Sequence, residues 1–84
     1  MSESGEFNTN DVLDISTFYE MSIFTENQLS LPLPQILCSN DGLSWVRYDD
    51  LKNNYMYLSD LMANKIKVVS DVQFVLHYNA NLKK

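Results

Sequence analysis

The chain of 84 residues has room for a single domain with a small core. Apolar residues at 45% and aromatic residues at 12% exclude a disordered polymer, and a net charge of −5 argues against binding phosphate over the whole surface. One cysteine, Cys38, excludes an internal disulfide and points to a reducing compartment, cytoplasmic or nuclear.

Residues 1–10 read as a flexible polar tail with Phe7 as its one large apolar group. Their acidic opening does not fit a signal peptide. Residues 12–24 alternate with a period of two. Leu13, Ile15, Thr17, Tyr19, Met21 and Ile23 fall on one side, all but Thr17 apolar; Asp14, Ser16, Phe18, Glu20 and Ser22 fall on the other, all but Phe18 polar. This is the pattern of a long half-buried strand, with a bend or a helix as the alternative. Leu31-Pro32-Leu33-Pro34 breaks regular pairing, and Pro34 is placed to open a short helix that ends at Ser39. Asn40-Asp41-Gly42 reverses the chain, and a short strand follows from Leu43 to Tyr48.

A helix is expected at about residues 50–63, capped by Asp49 or Asp50 and stopped at Asn64. Leu51, Tyr55, Leu58 and Met62 form its apolar stripe, widened by Leu61. Two further strands, residues 65–69 and 72–78, are expected as a hairpin or as one bulged strand. The predicted fold class is α+β: an antiparallel sheet of three to four strands with the main helix packed on one face. It occupies residues 11–79, between the tail at 1–10 and a polar basic tail at 80–84.

The residues that carry chemistry are few. Cys38 and His77 are alone of their kinds, so a zinc site lacks ligands and a Cys–His pair is the one nucleophilic arrangement available. The simpler reading buries Cys38 and sets His77 on a sheet face. Asp49-Asp50 reads as a helix cap before it reads as a catalytic pair. Gly5 and Gly42 are too far apart for a phosphate loop. The expectation is therefore a non-enzymatic protein without cofactor or metal.

Charge is unevenly placed. Residues 1–46 carry seven acids and neither Lys nor Arg; residues 47–84 carry four acids and six bases. An acidic half attracts basic surfaces. The expected function is an acidic protein–protein interaction module: an inhibitor, an adaptor or a small subunit of a larger complex, meeting a basic surface of its partner. Its expected contact residues are Tyr57, Met56, Asp60 and Asn53 on the helix, Tyr48 and Trp45 before it, and the acids Glu20 and Asp14. Tyr and Trp are enriched at binding hot spots, and Met adapts to partners. Trp45 also suits the core. Homodimerisation through a sheet edge is open. One sub-case is mimicry of nucleic acid, in which the carboxylates line one face. The alternative is a winged-helix-like, nucleic-acid-associated module that uses the basic C-terminal half, with Lys52, Lys65 and Lys67 on phosphate. Asp49, Asp50 and Asp60 on the would-be recognition helix oppose it. No apolar run is long enough to cross a membrane as a helix.

Overall fold

A computed structural model describes residues 2–59 and 62–84. The described residues form eight strands and no helix. The strands are β1 (Ser2–Asn8), β2 (Leu13–Asp14), β3 (Phe18–Phe24), β4 (Gln35–Ser39), β5 (Val46–Asp50), β6 (Tyr55–Leu58), β7 (Lys65–Val69) and β8 (Val75–Leu82). They build two antiparallel four-stranded sheets. Sheet I has the order β1-β8-β3-β6, and sheet II has the order β2-β7-β4-β5. Only β4 and β5 are both consecutive and in one sheet; every other connection passes between the sheets. This is jelly-roll topology, an architecture that hosts capsid, lectin and cupin functions and so does not choose among them.

The α+β expectation is thus corrected to an all-β sandwich: the described residues of 50–63 contain no helix, while Asp60 and Leu61 lie outside them. The expected stripe fails at two of four positions: Leu51 and Leu58 are buried, but Tyr55 is 61% and Met62 is 88% exposed. Residues 55–58 instead alternate as a strand, with Tyr55 and Tyr57 outward and Leu58 in the core. Asn54 ends the preceding loop and pins it. Its side-chain amide donates to the carbonyls of Thr25 and Asn27, both at 2.7 Å, while its own carbonyl accepts from the Thr25 amide at 2.9 Å. These links reward an extended entry into β6 over a helical turn. The short helix after Pro34 is likewise β4, whose Ile36 packs into the core.

The long strand over 12–24 divides. Asp14 Oδ1 accepts from the Ser16 amide at 2.9 Å, an Asx-type turn that ends β2 and lets Ile15 enter the core. A bulge between Phe18 and Glu20 then shifts the phase of β3. Phe18 is therefore buried, whereas Tyr19, expected inward, is exposed. The hairpin expected from residues 65–78 does not form, because β7 lies in sheet II and β8 in sheet I. Residues 2–8, expected as a tail, pair with β8 from Ser2↔Asn81 to Asn8↔Val75, and β8 continues to Leu82.

Side chains from both sheets meet between them. Phe18, Met21, Ile23, Leu58 and Leu76 come from sheet I; Ile36, Ile66 and Val68 come from sheet II. Ile15, Leu51 and Phe74 close the ends. The Tyr78 ring sits between Phe18 and Phe7, with centroids 5.7 and 6.1 Å away. Gly5 permits this, since a Cβ there would lie 3.0 Å from the Tyr78 hydroxyl. Gly42, at φ 78°, makes the reversal expected at Asn40-Asp41-Gly42.

Candidate functional site: the outer face of sheet I

Strand pairing places side chains in rows across the solvent face of sheet I. Register links Glu6 to His77, His77 to Phe24, and Phe24 to Tyr55, one residue from each strand. The three rings of this row stack. Phe24 and His77 centroids are 5.1 Å apart at 20°, and Phe24 and Tyr55 are 6.4 Å apart at 23°. Glu6 closes the row, with Oε2 3.9 Å from His77 Nδ1. A protonated imidazole would pair with that carboxylate.

The next row is Ser4, Asn79, Ser22 and Tyr57. The Ser22 hydroxyl ties the two rows together, sharing a hydrogen bond of 2.9 Å with the Tyr55 hydroxyl. Beyond it lie Ser2, Asn81 and Glu20. The Tyr57 hydroxyl donates to Glu20 Oε2, and the Asn81 amide donates to Oε1 at 2.6 Å. These two donors, Tyr57 foremost, hold the Glu20 carboxyl below its ordinary range, so it stays ionised. Glu3, on the inner side of β1, accepts from the Tyr78 hydroxyl at 3.3 Å. Burial, with the neighbouring Glu3 charge, pushes the Tyr78 phenol up. The four strands of sheet I thus carry Glu3, Glu6 and Glu20 and neither Lys nor Arg.

Sheet II has the opposite chemistry, and its cations are already engaged. Arg47 Nη2 lies 3.0 Å from Asp50 Oδ2, and Lys52 lies 3.4 Å from Asp49. Lys65 approaches Asp14 at 4.0 Å. Lys67 lies over the Trp45 ring, 4.3 Å from its centroid.

The structure therefore regroups the residues that sequence reasoning picked out. Tyr57 and Glu20, 37 positions apart, are joined by a hydrogen bond. Asp14 lies in β2 on sheet II, Tyr48 is the bulged residue of β5, and Trp45 is half-buried beneath Lys67. Met56 packs against the core instead of facing solvent. Asn53 is an exposed loop residue, and Asp60 lies outside the described residues. Phe24, Tyr55, His77, Asn79 and Asn81, which share this face, were not singled out from the sequence as expected contacts. The period-two run at 72–78 set His77 outward, but Tyr55 was assigned to a helical stripe and Asn79 and Asn81 lay past that run; only pairing across four strands makes these residues neighbours.

Cys38 and His77 do not form a pair. Cys38 is registered with Ile66 in sheet II, where burial raises its thiol, and His77 lies on the solvent face of the other sheet. Among the described residues no group of three or more His, Cys, Asp or Glu is placed to hold a metal. The winged-helix outline falls with its helix. The seven acids of residues 1–46 are distributed over β1, β2, β3 and three loops. No described helix is long and apolar enough to cross a membrane. Comparison with protein-family models, curated proteins and solved structures finds no match.

Proposed function

We propose that this chain is an acidic, non-enzymatic interaction module that binds a basic protein surface through the outer face of sheet I. It would act inside the cell as an inhibitor, an adaptor or a small subunit of a complex. One observation carries the reading. A stacked row, Tyr55–Phe24–His77, ends in Glu6 and lies two rows from Glu20, on strands without a Lys or Arg of their own. A Lys or Arg from a partner fits such a face twice over. It stacks on a ring for about 0.5–1 kcal/mol, and it pairs with a surface carboxylate for about 0.2–1 kcal/mol.

Each contact is small, so binding requires several at once. The face measures roughly 19 Å across four strands and 24 Å along seven residues, about 450 Å². That is below the ~800 Å² per partner of a standard stable interface. The face alone therefore supports a transient, salt-sensitive contact.

The test is titration with an arginine-rich peptide, followed by amide chemical shifts at two salt concentrations. Shifts centred on Glu6, Ser22, Phe24, Tyr55, Tyr57 and Asn79, weakening with salt, support the proposal. Shifts confined to sheet II, or none at all, overturn it. Intracellular residence rests on the single, half-buried Cys38.

A further inference from the structure

We infer that the partner segment is itself extended and adds to sheet I as a fifth strand along β1, with its cations over Glu6 and Glu3. This rests on the function proposed above and deepens it.

Sheet edges differ in how open they are. In sheet II, β2 is two residues long, and β5 carries a bulge at Tyr48 together with the Arg47–Asp50 and Asp49–Lys52 ion pairs. Short length, bulges and charge are the ordinary means of blunting an edge. In sheet I, β6 has four residues. By contrast β1 runs for seven residues in unbroken register with β8, without proline, bulge, Lys or Arg. Its side chains are small at Ser2, Ser4 and Gly5, so a second backbone can approach. Among the described residues β1 pairs only with β8, and the outward half of its N–H and C=O groups forms a ladder ready for a strand.

Charge selects the occupant. Glu3 and Glu6 are the only ionisable side chains of β1. A second copy of this chain would set four carboxylates along one seven-residue ladder with no cation among them. Like charges in such proximity oppose pairing. A foreign strand bearing Lys or Arg meets no such repulsion. Its residue across from Glu6 extends the row Tyr55–Phe24–His77–Glu6 by one position, and its residue across from Glu3 finds the second acid. Just beyond Glu6, the position across from Phe7 faces the rim of the core and favours an apolar side chain. An added strand also supplies the contact area that the face by itself lacks.

The probe is a soluble Thr-rich peptide with two Arg residues three positions apart, compared with the same sequence N-methylated at every second backbone amide. Both carry the same charge, but only the first can complete a ladder. Augmentation expects the unmodified peptide to slow hydrogen exchange at alternate β1 amides, and expects N-methylation to weaken binding at least tenfold. Equal binding of the two peptides, with β1 exchange unchanged and shifts still on the face, overturns the added strand and leaves the proposed function standing. Binding of neither overturns both. Alternate β1 amides protected without peptide, in a protein that sediments as a dimer, overturn the basic strand in favour of a second copy.

Discussion

The two sheets share one core and differ on the outside. Sheet II balances its charge internally: Arg47 and Lys65 reach aspartates, and Lys67 lies over Trp45. Sheet I leaves its charge open, with Glu6 and Glu20 on a face of stacked rings and no cation on its strands. A surface that is already paired gains little from a partner, because existing contacts must be given up. An ordered face of one sign has that gain in reserve. The contrast points to sheet I, although sheet II holds three of the six bases, one of them over the only Trp.

The strongest blow to the comparison would be to show that the sheets do not share a core. Leu58→Ala in β6 removes a fully buried side chain and should cost ~2–5 kcal/mol. Chemical denaturation should show one transition for probes in both sheets; two separate transitions would mean independent halves. A smaller loss tests the sheet I edge. Gly5→Val drives a side chain into the Tyr78 ring and should cost ~1–3 kcal/mol by the same measurement.

Charge reversal sharpens the functional side. Glu6→Lys with Glu20→Lys should weaken binding of an arginine-rich peptide about tenfold or more, equivalent to ~1.4 kcal/mol. Lys67→Glu on sheet II should leave that affinity within about twofold, a change below ~0.5 kcal/mol. Isothermal titration compares the two directly, and equal losses would erase the distinction between faces.

The last effect is that of pH on stability. Hydrogen bonds hold several carboxylates below their ordinary range on both sheets. Asp41 accepts from the Ser44 and Leu43 amides and the Ser39 hydroxyl; Asp49 accepts from the Asp50 amide, Asp14 from Ser16, and Glu20 from Tyr57. Groups with depressed folded values contribute stability that is fully present above the unfolded value, about 4 for these carboxyls. It is lost as pH falls through the lower folded values. The melting temperature should therefore hold level from pH 7 to about 5 and decline below about 4. Asp41→Asn should make that decline shallower.

Much of the inside of this protein was legible in the sequence. The period-two run at 65–69 became β7, the run at 72–78 overlaps β8 over residues 75–78, and Leu58 is core even though its element is a strand and not a helix. The reversal at Gly42 also follows from local chemistry. The failures share a cause. Residues 51–62 fit a helical stripe at four positions, and the same residues fit a short strand; only the loop clamp of Asn54 on Thr25 and Asn27 selects between them. The polar N-terminus carries no local strand signal and becomes β1 solely because β8 offers it a ladder.

By itself, then, the sequence determined which side chains are apolar, where turns can close, and that reactive groups are scarce, since these are properties of single residues and near neighbours. Only the tertiary structure decided which outward side chains stand side by side. Tyr55, Phe24, His77 and Glu6 come from four strands spread across the chain, and long-range strand pairing, which no local period encodes, sets them in one row.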